Sequence, residues 1–87
     1  MKKINYHAHK NVISQQLRAA RGAAGLSQAQ LAAKMQTMGV NIDQQMLSKI
    51  ESDKRIVTDY ELACLCQIFG VEEKALLKDF YEGLCLH

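Results

Sequence analysis

The stretch Ser27–Glu51, SQAQLAAKMQTMGVNIDQQMLSKIE, decides how the rest of the chain is read. It opens on Ser27-Gln28-Ala29-Gln30, a capping box. There the serine hydroxyl and the glutamine amide each satisfy a backbone N–H that the start of a helix leaves without a partner. Leu31, Ala32, Met35 and Met38 recur on one side of the helix that follows, and Gly39 closes it. Val40-Asn41-Ile42 is a short connector with Ile42 expected to face inward, and Asp43 caps the next helix. At about 100° per residue, Met46, Leu47 and Ile50 share one side of that helix. Gln44, Gln45, Ser48, Lys49 and Ser52 share the other, with Glu51 on the border beside Leu47. The outward face carries no acid, although Glu is normally abundant on a solvated helix face.

The flanks extend the helical pattern. Upstream, Val12, Ile13, Leu17 and Ala20 form the apolar stripe of a helix expected over Val12 to Ala24, capped by Asn11 and ended by Gly25. Residues 1–10 lack helical periodicity and are expected to form a flexible arm. Downstream, Thr58-Asp59-Tyr60-Glu61 is a second capping box. It opens a helix in which Leu62, Leu65, Cys66 and Phe69 share a side before Gly70. A short fifth helix is expected from Val71 to about Leu77, with Glu72 standing where Ser or Asp would cap better. The expected architecture is therefore all-α, with a five-helix domain over residues 11–78 and a tail over 79–87.

The totals agree with one small domain. The 87 residues are 48% hydrophobic, with no Pro and no Trp, which fits a compact helical protein rather than a disordered one. No apolar run approaches the roughly 20 residues a membrane span needs. The N-terminal MKKINYHAHK has no apolar stretch behind its lysines, so no signal peptide is expected. Three cysteines without metal-site spacing point to free thiols in a reducing, cytoplasmic compartment.

Charge is divided along the chain. Residues 1–57 hold nine Lys and Arg against three acids, a net of +6, whereas residues 58–87 hold two lysines against six acids, a net of −4. A basic front and an acidic back orient a molecule toward a polyanion. Two short helices joined by a Gly-containing connector, the second with an apolar back and an amide-rich front, describe a helix-turn-helix. Entry into a major groove about 12 Å wide demands an outer face free of carboxylates. Glutamine presents a donor and an acceptor together, matching the N6 and N7 edge of adenine.

The segments LRAARGAAGLSQAQLAAKM, MLSKIES and DYELACLCQIFGV together resemble the Xre, or Cro/repressor-like, helix-turn-helix family over about Val12 to Leu77. The resemblance implies a lambda-repressor-like fold and a bacterial or phage transcriptional regulator, expected to be a repressor that binds duplex DNA as a homodimer. It implies that Gln44, Gln45, Ser48 and Lys49 face the bases. Gln28, with Ser27 beside it, would meet a phosphate, and Lys54 and Arg55 would touch the sugar-phosphate backbone. Arg21 and Glu51 would form an ion pair tying the first helix to the third. The chain departs from the usual pattern in its longer stretch over Gln36 to Val40, which extends the second helix and its connector. A second reading keeps the fold but makes it a protein-interaction module, such as an antitoxin or adaptor. The apolar residues left over for a dimer interface lie in the fifth helix and the tail: Phe80, Tyr81, Leu84 and Leu86.

Other chemistries find little support. His7-x-His9 and Cys85-x-His87 lack the spacing of a closed zinc site. Cys64 and Cys66 point about 200° apart on a helix and cannot ligate together. No nucleophile–base arrangement, phosphate-cradling Gly loop or carboxylate pair is visible, so neither an enzyme, a cofactor nor a metal is expected.

Overall fold

A computed structural model describes residues 8–85. Six helices occupy them: α1 (Ser14–Ala23), α2 (Gln28–Thr37), α3 (Gln44–Glu51), α4 (Asp59–Phe69), α5 (Glu73–Leu76) and α6 (Lys78–Cys85). The fold is all-α, with no strand among the described residues. Each of the capping signals at Ser27, Asp43 and Thr58 operates. Ser27 Oγ accepts from the Gln30 N–H at 3.0 Å while Gln30 Oε1 accepts from the Ser27 N–H at 2.8 Å. Thr58 and Glu61 repeat the exchange, and Asp43 Oδ1 accepts from the Met46 N–H at 2.8 Å.

The periodic apolar residues converge on one core. Leu17 of α1, Leu31 and Met35 of α2, Ile42 of the connector, Leu47 and Ile50 of α3, and Leu65 of α4 are all fully buried. Met46 packs against this cluster from its edge. α3 is thereby held between α1 and α2, with α4 closing the far side of α2. The longer connector is pinned rather than loose. Gln36 Nε2 donates to the Ile42 carbonyl at 2.8 Å, and the Val40 N–H returns to the Met35 carbonyl at 3.0 Å.

Three details correct the sequence-based expectation. First, α1 begins at Ser14, and Asn11 is not its cap; Ile13 holds the N-cap position without a side-chain bond. Asn11 instead accepts from the Ile13 N–H and donates its amide to the Ile50 and Arg55 carbonyls, at 3.0 and 2.9 Å. The Ile50 carbonyl lies in the last turn of α3 and the Arg55 carbonyl in the connector beyond it, and the two protons of a side-chain NH₂ can serve both at once. Second, a sixth helix among the described residues follows the five expected: α5 ends at Leu76, and α6 occupies most of the expected tail. Its start is tied to α1 by Gln16 Nε2, which donates to Asp79 Oδ1 at 3.1 Å, a partner no local pattern reveals. Third, Met38 is 45% exposed, because α2 stops at Thr37 and Met38 forms its C-cap. Its sulfur accepts from the Cys64 thiol at 3.6 Å. Cys64 is buried along with Cys66, although the two point to different sides of their helix.

Candidate nucleic-acid interface

α3 turns two unlike faces outward and inward. Leu47, Ile50 and Glu51 are buried, while Gln44, Gln45, Ser48 and Lys49 are exposed. Among the described residues no group bonds to those four side chains, so their donors and acceptors are available to a ligand. Lys54 is exposed just beyond the helix and likewise unengaged.

The C-terminal end of α3 is gripped by side chains from α1. Arg21 donates through Nε and Nη2 to the two carboxylate oxygens of Glu51, at 2.6 and 3.0 Å, and through Nη1 to the Leu26 carbonyl at 2.9 Å. The hydrogen bond it donates to Glu51 holds the guanidinium above its ordinary pKa. This is the ion pair the resemblance implies. Arg18, one turn earlier on α1, donates to the Glu51 carbonyl at 2.7 Å, placing a cation at the negative end of α3. The sequence reading missed Arg18, although its three-residue spacing from Arg21 put both on one helix face.

Asp53 was also missed. It adopts φ 60°, where a side chain is normally costly, and the Lys54 N–H closes the turn on the Lys49 carbonyl at 2.7 Å. Asp and Asn are the non-glycine residues that tolerate this geometry best, which is the signal its position after Ser52 offered. Its Oδ1 accepts from the backbone N–H groups of Lys10 and Asn11, at 2.8 and 3.0 Å, and its Oδ2 pairs with His9. Burial works to raise the Asp53 pKa, but the bonds from Asn11, His9 and Lys10 outweigh it and hold the carboxyl below its ordinary 3.8. The carboxylate thus anchors the segment before α1 to the end of α3. Asp53→Gly should relieve the backbone yet lose the anchor, whereas Asp53→Ala loses both. Alanine should therefore be the less stable of the two by about 1 kcal/mol. Urea denaturation checks this. Because the folded pKa is depressed, the stabilisation from the carboxylate is present above about 3.8 and fades as pH falls through the folded value.

Two residues given phosphate contacts by the resemblance have internal partners. Gln28 Nε2 donates to Glu51 Oε1 at 3.1 Å, so its side chain helps to satisfy that buried carboxylate. Arg55 donates to both oxygens of Glu61, at 2.9 and 3.0 Å, and to the Ile56 carbonyl. Glu61 is 3% exposed, and a buried carboxylate needs such a cation. Ser27 remains exposed; its oxygen accepts within the capping box, and its proton is left to donate outward. No group of three or more metal-ligating side chains occurs among the described residues. His7 and His87 lie outside the described residues, as does the Cys85 side chain.

A helix with a buried apolar back, an amide-rich exposed front and a braced end, preceded by a capped partner helix, is a helix-turn-helix pair. The matching family model, described as helix-turn-helix, covers residues 17–76. The chain belongs to the Cro/repressor-type helix-turn-helix family. No curated protein matches it. This family is one of DNA-binding regulators. In this helix-turn-helix protein the matched span runs from the middle of α1 to the end of α5, so α6 lies beyond it. No helix among the described residues is long and apolar enough to cross a membrane.

Proposed function

We propose that the protein is a sequence-specific transcriptional repressor that inserts α3 into the major groove of duplex DNA and binds two half-sites as a homodimer. The observation that carries this reading is the exposed, acid-free face of α3, whose Gln44, Gln45, Ser48 and Lys49 side chains have no partner among the described residues. A helix about 10–12 Å across fits a groove about 12 Å wide only if its leading face tolerates the nearby phosphates. Gln44 and Gln45 stand in the first turn of α3, the end that meets base edges in this docking mode.

Phosphate contact falls to Lys54, Ser27 and the start of α2. The Gln28 side chain is engaged by Glu51, so its backbone N–H at the first turn of α2 is the donor left for a phosphate. Arg55 is left out of this proposed set because its guanidinium is paired with Glu61.

Gln44→Ala should weaken binding to the preferred site by about 1–3 kcal/mol and relax the preference at one base. Lys54→Ala should weaken preferred and random DNA alike and lower the slope of log affinity against log salt by roughly one. Titration of both variants on a site selected from a random pool measures these effects. Identical behaviour of the two on specific and random DNA would remove α3 from the recognition role, as would salt-independent binding of the parent protein.

A further inference from the structure

We infer that Met38 is a site of reversible oxidation by peroxide, and that its sulfoxide weakens the hold of the protein on DNA. The second half rests on the DNA-binding reading above; the first does not. Met38 is the C-cap of α2, where the connector to α3 begins, and it is 45% exposed. The other described methionines are sheltered: Met35 is fully buried, and Met46 packs on the edge of the core. An oxidant in solution therefore reaches Met38 before either.

The Met38 sulfur also has a partner of its own kind. It accepts from the Cys64 thiol of α4 at 3.6 Å. Cys64 is only 5% exposed, and burial pushes its thiol up, so it stays a protonated donor instead of the thiolate that would consume peroxide itself. Of the two sulfurs, the thioether is the one open to oxidation. One peroxide oxygen bonds to Sδ as the O–O bond breaks; the sulfur gives up two electrons, and the other oxygen leaves as water with both protons. The return step takes two thiols, which join as a disulfide while the sulfoxide oxygen leaves as water. Cys64 cannot supply both, and Cys66 points to another side of α4. The sulfoxide therefore persists until a separate reductase removes it.

The oxidised side chain cannot keep its place. Sulfurs 3.6 Å apart leave no room for an oxygen between them. A polar S=O group is also drawn toward water and away from the buried flank of α4. Met38 stands just before Gly39, whose φ of 84° turns the chain, and before Val40 and Ile42, whose burial sets where α3 starts. Bonds to Gln36 and Met35 hold this connector to α2, and the contact with Cys64 ties it to α4 as well. Losing that tie loosens the seat of α3, and a recognition element loses affinity when its support is loose.

The test is peptide mapping by mass spectrometry during peroxide titration of the full chain, paired with DNA titration. Met38 should gain one oxygen ahead of Met35 and Met46, and the oxidised protein should bind duplex DNA several-fold more weakly. Methionine sulfoxide reductases acting on both epimers, with a dithiol reductant, should restore the parent affinity. Met38→Leu keeps the apolar contact and has no sulfur to oxidise, so it should bind like the untreated parent before and after peroxide. Met38→Gln, polar from the outset, should bind weakly with or without it. Oxidation of Met46 ahead of Met38 would overturn the inference, as would a Met38→Leu protein that loses affinity to peroxide as the parent does. If the untreated parent bound no DNA, the DNA reading would fail. Mapping would then still decide the oxidation site, together with a peroxide-induced fall in unfolding temperature that Met38→Leu should not show.

Discussion

Arg21→Ala is expected to cost about 3–5 kcal/mol of folding stability, because it strands a buried carboxylate. The Glu51 side chain is only 4% exposed, and without Arg21 its remaining side-chain partner is the neutral amide of Gln28. The reverse substitution should be milder. Glu51→Ala leaves a guanidinium that is 20% exposed, already bonded to the Leu26 carbonyl and able to turn further toward water. Its cost should be about 1–3 kcal/mol. Replacing both partners by apolar residues, Arg21→Met with Glu51→Leu, should recover most of the loss, since neither charge is then left to desolvate. Urea midpoints at constant m-value report all three. If Arg21→Ala stayed within about 0.5 kcal/mol of the parent, the pair would not be the brace between α1 and α3. The salt slope of DNA binding by the folded fraction should be unchanged, because neither side chain lies on the exposed face of α3.

The parts of this fold legible in the sequence are those specified within one or two turns. The boxes at Ser27 and Thr58 and the Asp43 cap each join groups three residues apart, so reading them needs no knowledge of the tertiary structure. The two faces of α3 follow from periodicity alone. The Arg21–Glu51 pair was reached because Glu51 sits at the edge of a buried face and the family resemblance supplied its partner. What stayed hidden depends on groups that folding brings together. Asn11 meets Ile50 and Arg55 across 39 and 44 residues, and Gln16 meets Asp79 across 63. Arg55 shows a different failure, since Glu61 is only six residues away. There the box reading gave Glu61 to Thr58 and took no account of the second charge its burial would require. Gln28 was drawn inward for the same reason by Glu51.

Arg55→Ala separates the pairing with Glu61 from the phosphate contact the resemblance implies. Glu61 holds together two functions, accepting from the Thr58 N–H at the start of α4 and from the Arg55 guanidinium. Burial alone would push its carboxyl up; the bonds from Arg55 and Thr58 more than reverse this and hold it below the ordinary 4.5. Removing the guanidinium leaves burial with only Thr58 against it, and the expected cost near neutral pH is about 3–5 kcal/mol. The pH dependence follows from the depressed pKa. In the parent, the stabilisation is fully present above about 4.5 and fades as pH falls through the folded value. The variant has little of it to lose, so the gap between the two should be largest near pH 7 and should narrow below about 4.5. Arg55→Lys should recover only part of the loss, because an ammonium cannot reproduce the two parallel bonds to the carboxylate. On DNA the variant will bind weakly wherever it is partly unfolded, which by itself imitates a lost phosphate contact. The salt slope distinguishes the two causes: per folded molecule it should match the parent in Arg55→Ala and fall by roughly one in Lys54→Ala. A slope that fell equally in both would return Arg55 to the DNA backbone and require its bond to Glu61 to open on binding.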